Sequence, residues 1–218
     1  MFTKGKSCVV LLSGGIDSTT LLFYVKERLC AAGIHALSFL YGQKHVRELE
    51  MARWQAARAG VLVFREIDLQ VMLNVAGSSS ALLKDGEAIP DLADIAEKDR
   101  IQPSTYVPNR NLVFLSMAAA YAEANGINDI FYGAQSQDSY GYWDCTVDFV
   151  ERLNSVVSLN RKHKLRIHAP FALWSKKRIV VLGRKLGVDY SHTWSCYRGK
   201  NKPCGTCPSC IERLKAMG

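Results

Sequence analysis

The chain has 218 residues, 48% of them hydrophobic and 22% charged. That length supports one domain, or one with a small appendage, at ~100–200 residues per domain. The composition excludes a disordered chain and a fibre. The formal net charge is +8 and is uneven: from Arg161 onward there are 14 basic residues against two acids, Asp189 and Glu212, while the first 160 residues carry a net −4. A basic segment fits a polyanionic partner such as nucleotide phosphate or RNA, or a merely solvated surface. The longest apolar runs, among them Val9 to Leu12 and Leu112 to Leu115, fall far short of the ~18 residues of a membrane span. No signal-type apolar stretch opens the chain, so a cytoplasmic protein with no membrane partner is expected.

In chain order, Ser7 to Leu12 is a β-prone run stopped by Ser13-Gly14-Gly15. Its lack of polar alternation suits the centre of a parallel sheet. Ser18 to Leu29 places Leu21, Leu22, Val25 and Leu29 on one helical face. Ile34 to Tyr41 is a second strand, His45 to Ala59 a second helix and Val61 to Ile67 a third strand. Gln70 to Pro103 breaks the rhythm with a Gly-Ser-Ser-Ser patch and scattered acids; a connection this long predicts a lid, a binding loop or a partly disordered stretch. Asn111 to Ala124 is almost wholly apolar, which predicts a buried helix. Asp129 to Gly133 is a fourth strand, Asp144 to Val157 a helix, Leu165 to Ala169 a fifth strand and Lys176 to Leu186 a helix ended by Gly187. The alternation predicts an α/β fold: an open, mostly parallel five-stranded sheet with helices on both faces, joined by right-handed crossovers. Residues 1–190 form the predicted main domain, and 191–218 a small cysteine-bearing tail.

Ser13-Gly14-Gly15-Ile16-Asp17-Ser18 lies where the first strand gives way to a helix. Glycines let the backbone approach a ligand, and the helix start offers free N–H groups and a positive dipole end. Hydroxyls of Ser13, Ser18 and Thr19 add donors, making an anion cradle. No Gly-Lys-Ser/Thr ending and no Gly-x-Gly-x-x-Gly is present, so neither the triphosphatase P-loop nor the dinucleotide fingerprint applies. Asp17 would repel phosphate unless Mg²⁺ sits between them; the plain alternative is a glycine turn capped by Asp17 or Ser18.

Seven cysteines in a reducing compartment point to metal or catalysis rather than disulfides. Cys196, Cys204, Cys207 and Cys210 fall within 15 residues, two of the links being Cys-x-x-Cys. Four thiolates suit a closed, structural Zn²⁺ site, and an iron–sulfur cluster is the other candidate.

The glycine loop resembles that of the ATP pyrophosphatase (PP-loop, adenine nucleotide alpha hydrolase-like) superfamily. That resemblance implies that Leu12, Ser13, Gly14, Gly15, Asp17, Ser18 and Thr19 hold ATP and magnesium. Further stretches are Phe39-x-Tyr41-Gly42-Gln43-x-His45, Tyr106-Val107-Pro108-Asn109-Arg110-Asn111, Gly141-Tyr142-Trp143-Asp144-Cys145 and Trp194-Ser195-Cys196-Tyr197. With the terminal cysteines they resemble the QueC family, whose patterns are Tyr-x-Gln-x-His, Phe-Val-Pro-Gly-Arg-Asn and Gly-Tyr-Pro-Asp-Cys. The likeness runs from Val9 to about Arg213.

The resemblance implies an ATP-dependent ligase that converts 7-carboxy-7-deazaguanine and ammonia to the nitrile through adenylated acid and amide. It implies catalytic roles for Asp17, Arg110 and Lys176, and substrate contacts from Tyr41, His45, Arg110, Asn111, Asp138, Tyr142 and Asp144. It also implies ATP, Mg²⁺ and Zn²⁺ as cofactors and a homodimer. Each residue has a plainer alternative: Asp144 a helix N-cap, Lys176 a solvated helix start, the tyrosines core, His45 a structural histidine. Departures are Asn109 for Gly, Trp143 for Pro, Thr146 where Arg is common, Arg178 where an acid is common, and Gln135-Ser136-Gln137. They gather around the substrate loop. They leave open a paralogue that passes the activated group to a protein or nucleic-acid amine; the basic cysteine tail separately leaves open a nucleic-acid-binding module with a vestigial ATP loop.

Overall fold

A computed structural model describes residues 2–44, 46–96, 102–136, 141–198 and 201–218. Its strands are β1 (Ser7–Leu11), β2 (Gly33–Leu40), β3 (Val63–Asp68), β4 (Asp129–Phe131) and β5 (Arg166–His168). They form one all-parallel sheet in the order β3-β2-β1-β4-β5. The helices are α1 (Ile16–Glu27), α2 (Arg47–Ala59), α3 (Val71–Ala76), α4 (Arg110–Ala124), α5 (Val147–Val157), α6 (Lys176–Lys185) and α7 (Pro208–Met217).

β1 is buried on both faces, and its side chains alternate between two apolar layers. Val9 joins Leu37, Ile130 and Ile167 under α4 and α5. Cys8 and Val10 join Ala36 and Phe131 under α1, α2 and α6. Chain order reverses between β1 and β4. An open α/β sheet has its ligand crevice at such a reversal, beyond the strands' carboxyl ends, and both the glycine loop and the segment after β4 begin there.

One expectation needs correction and two are sharpened. Helix α4 is apolar but not buried: Leu115, Ala118 and Ala122 are covered, while Ser116, Met117 and Ala120 face outward. One helical face suffices to cover β1 and β4, and the opposite face has no second layer over it among the described residues. The 70–103 connection is not a free lid. It holds α3, puts Ala81, Leu82 and Leu83 in the core, and is tied to the tail by Leu92 N–H to Thr206 O and by Arg198 to Ile89 O and Asp91. Residues 97–101 of it lie outside the described residues. The tail also gains a helix, α7, which starts with Pro208 at a position where a missing N–H costs nothing.

Part of the basic excess from Arg161 onward is engaged inside the fold rather than solvated. Arg213 donates to Tyr190 O and to Thr193 Oγ1, and Arg184 donates to Met217 O. Among the described residues, no helix is long and apolar enough to cross a membrane.

Candidate active site

α1 begins two residues earlier than its apolar pattern predicts. Gly15, in extended conformation (φ −78°, ψ 173°), is the N-cap, and no side chain caps the helix. Ile16 and Asp17 therefore occupy the first turn, and the capping roles considered for Asp17 and Ser18 are not seen. Ser18 Oγ instead receives the Ser13 N–H (3.1 Å) and lies 3.0 Å from Ser13 Oγ, which in turn accepts from the Gly15 N–H (3.2 Å). The loop is thus closed on itself while the helix N-terminus stays open toward the crevice. Gly14 has φ +84°, and a Cβ there would lie 2.1 Å from Glu48 O of α2. Only glycine fits that approach.

The crevice contains a cavity of ≈ 240 Å³ with three walls. Leu12, Ser13, Gly15, Asp17, Ser18 and Lys176 form the first. Tyr41, Arg110, Asn111, Phe114, Tyr142 and Cys145 form the second, and Trp194, Ser195, Tyr197 and Ser209 of the tail form the third. Ten of the residues proposed from sequence thus meet at one cavity, although they come from distant parts of the chain. Gly14 backs the loop without lining it, and Thr19 is wholly buried, its hydroxyl without a partner among the described residues. His45 and Asp138 lie outside the described residues.

Charges are concentrated where the first and third walls meet. Lys176 is only 8% exposed, not a solvated helix start. Its ammonium lies 2.7 Å from Glu212 and 3.5 Å from Asp17 Oδ2. Asp17 Oδ1 is buried with no hydrogen-bond partner among the described residues. Burial pushes the Asp17 pKa up, and Lys176 pulls against it. A partnerless buried carboxylate oxygen beside a phosphate-type cradle fits a divalent cation, whose hard charge takes oxygen ligands.

The second wall is aromatic and cationic. Phe39 and Phe114 stack at 4.2 Å between ring centroids, and Tyr41 meets Phe114 edge-on at 5.3 Å. The Arg110 guanidinium sits 5.8 Å from the Tyr41 ring centre and 3.5 Å from its hydroxyl. Gln43 is structural: it accepts from Tyr41 N–H (2.8 Å), donates to Phe39 O (3.1 Å), and so fixes the turn that presents Tyr41. Asp144 caps a helix, but not the one expected. Its Oδ2 accepts from Asn111 N–H (3.1 Å) at the start of α4, while Thr146 caps α5 by accepting from Phe149 N–H (3.1 Å). Tyr142 Oη bonds Thr105 Oγ1 (2.7 Å), which joins the two loops flanking Arg110.

Four of the five departures from the family pattern have local structural reasons; the last residue of the fifth, Gln137, lies outside the described residues. Asn109 has φ +54°, a left-handed conformation that Gly and Asn adopt most readily. Trp143 Nε1 donates to Tyr106 Oη (2.8 Å), which also accepts from Asn109 N–H (3.1 Å). Thr146 is the α5 cap just described, and Arg178 lies 3.8 Å over the Trp174 ring. It follows that Asn109→Ala lowers stability by about 1 kcal/mol, because alanine lacks the short polar side chain that lets asparagine tolerate left-handed backbone. Asn109→Gly should change it less; thermal or urea unfolding of both variants checks this.

The four tail cysteines bring their sulfur atoms within 4.8 Å of one another. Ligands at 2.3 Å in a tetrahedron are separated by about 3.8 Å, so a small contraction completes the shell. Burial works against a Cys204 thiolate, but N–H groups of Cys207 and Thr206 outweigh it and bring its pKa down to about 6. Burial pushes the Cys207 and Cys210 thiols up, so it is the convergence of four sulfurs, not their acidity, that fits a thiolate-bound metal.

Sequence reasoning missed Phe114, hidden in an apolar helix with no polar mark, and Glu212. The signal for Glu212 was present, since it is one of two acids in a stretch with 14 bases.

A family model described as "Queuosine biosynthesis protein QueC" matches residues 7–218. The 7-cyano-7-deazaguanine synthase of Marinobacter nauticus is 43% identical over 211 residues, covering 97% of this chain and 92% of its own. That of Clostridium kluyveri is 41% identical over 218 residues, with 97% and 93% coverage. Similar solved structures include a 4-thiouridine synthetase–RNA complex with bound ATP (TM-score 0.52, 20% identity, 96% of this chain and 50% of that one). The U34-tRNA thiolase NcsA of Methanococcus maripaludis, with its [4Fe-4S] cluster, gives a TM-score of 0.52 at 11% identity, covering 99% of this chain and 64% of that one. This chain spans between half and two thirds of those two structures. At such identities the likeness is of fold alone.

Proposed function

This chain belongs to the QueC family of queuosine-biosynthesis proteins, and from that premise we propose that it makes 7-cyano-7-deazaguanine from 7-carboxy-7-deazaguanine, ammonia and ATP. It is an ATP-dependent carbon–nitrogen ligase of the 7-cyano-7-deazaguanine synthase type. The observation that carries the specific reading is the one cavity whose first wall is the glycine loop with Asp17 at the open N-terminus of α1 and whose second wall is Arg110 amid aromatic rings. The first suits a nucleotide's phosphates, the second a flat acid.

A carboxylate resists ammonia because its leaving group would be oxide. In this reading its oxygen attacks the α-phosphorus of ATP, pyrophosphate leaves, and ammonia then displaces AMP to give the amide. A second ATP activates the amide oxygen in the same way, and loss of AMP with two protons leaves the nitrile. One cradle serves both activations because each holds ATP against a carbonyl-type oxygen. Ser13 and the open N-terminus of α1 receive phosphate oxygens. Asp17 would hold magnesium, which when bound neutralises charge on the departing pyrophosphate. Lys176 adds a positive charge beside the cradle. Arg110 orients the carboxylate through two parallel N–H bonds, and Phe114 and Tyr41 stack or flank the ring. Cys196, Cys204, Cys207 and Cys210 would hold Zn²⁺ with no open position, leaving it structural. Residues 1–190 then act as the ATP-binding domain and 191–218 as its metal-stapled wall.

The test is to incubate the protein with ATP, Mg²⁺, ammonium and the acid, and to follow products by mass. The nitrile is expected; absence of both amide and nitrile would overturn the reading. Arg110→Lys keeps a charge but loses the planar fork. It should lower kcat/KM for the acid by about tenfold to a hundredfold, the size of a charged hydrogen bond, with KM for ATP nearly unchanged, as steady-state kinetics would show.

A further inference from the structure

We infer that Glu212 is a positioning residue that holds Lys176 off Asp17, leaving the Asp17 carboxylate open to the cation that accompanies ATP. The inference rests on the ATP-binding role proposed above for the loop.

Lys176 is the first residue of α6, where the helix dipole repels a cation, and it is 8% exposed. A buried ammonium in that place needs carboxylates. Two carboxylates face it from different elements, Asp17 of α1 and Glu212 of α7, and the distances are unequal: 2.7 Å to Glu212 against 3.5 Å to Asp17. The ammonium is therefore drawn toward α7. Asp17 keeps one oxygen with no hydrogen-bond partner among the described residues, and that oxygen is buried rather than in solvent. Without Glu212, Asp17 is the carboxylate left to neutralise Lys176. The ammonium would then close in on it, tightening the 3.5 Å ion pair that already joins them, and a divalent cation would compete with a stronger salt bridge.

Glu212 owes its place to the cysteine cluster. Cys207 is the N-cap of α7 and Cys210 lies in its first turn, so the sulfur ligands set where the helix starts and which way Glu212 points. The tail thereby reaches the nucleotide site through one charge contact.

Glu212→Gln keeps the shape and removes the charge. By titration calorimetry, its affinity for Mg²⁺-ATP should be about tenfold weaker than wild type, in the range of a coupling between neighbouring sites. Metal content of the tail and the unfolding midpoint should be unchanged, KM for ATP should rise with kcat nearly constant, and Glu212→Asp should restore most of the affinity. In a Lys176→Met background, Glu212→Gln should cause no further loss, because the contact it serves is gone. Unchanged affinity in Glu212→Gln, or the same fold loss in the Lys176→Met background, would overturn the inference. Failure of the wild-type protein itself to bind Mg²⁺-ATP would instead remove the premise, and the inference with it.

Discussion

Asp17→Asn should reduce pyrophosphate release by about 10²–10³-fold, the loss typical when one preorganised charge-stabilising group is removed from a transition state. The asparagine has the same shape but cannot share a divalent cation with phosphate as a carboxylate does. Little structural loss should accompany it. Asp17 Oδ1 makes no hydrogen bond among the described residues, and Lys176 keeps its shorter contact with Glu212. Burial already disfavours the ionised Asp17 in the folded chain, so the neutral variant should be as stable as wild type or more so. The measurement is a coupled assay of pyrophosphate alongside a melting curve. Undiminished release would refute a metal-sharing role, and collapse of the fold would refute the claim that the carboxylate is held for chemistry rather than for packing.

Removing the metal from the cysteine cluster, with a chelator or by Cys207→Ser, should lower the unfolding midpoint by about 10 °C or more. Structural zinc in small domains contributes on the order of 10–16 kcal/mol to the folded state, and for a chain of this size each kcal/mol moves the midpoint by roughly 2–4 °C. Turnover should fall with stability, because Ser195, Tyr197 and Ser209 form one wall of the cavity and Glu212 sits on the helix that Cys207 caps. Metal analysis reads the occupant directly: one zinc per chain is expected, and iron with sulfide would assign a cluster instead. Activity and stability that survive complete demetallation would show that the tail is held by packing alone.

Much of this site was legible without coordinates because its chemistry is local. The glycines between Ser13 and the first turn of α1 favour a tight strand-to-helix turn, and the cysteine spacing favours a cluster of sulfurs that could share one metal. The motif around Arg110 was also legible, although the role of Asn109 was not. Its departure from glycine reads as a change of function until its left-handed backbone shows that the conformation is kept. Other residues were misplaced because their partners are remote. Asp144 precedes α5 in the chain, yet it caps α4, 33 positions earlier.

The order and type of residues along the chain determined the parallel α/β scaffold, the glycine turn after β1 and the clustering of the tail cysteines, since each depends on contacts among near neighbours and on the periodicity of apolar side chains. Tertiary structure alone decided which side of the cradle carries charge. Lys176 is 36 positions from Glu212 and far further in sequence from Asp17, and an ammonium between two carboxylates takes whichever the backbone brings closer. That distance is set by how α1, α6 and α7 pack, and no spacing in the chain encodes it.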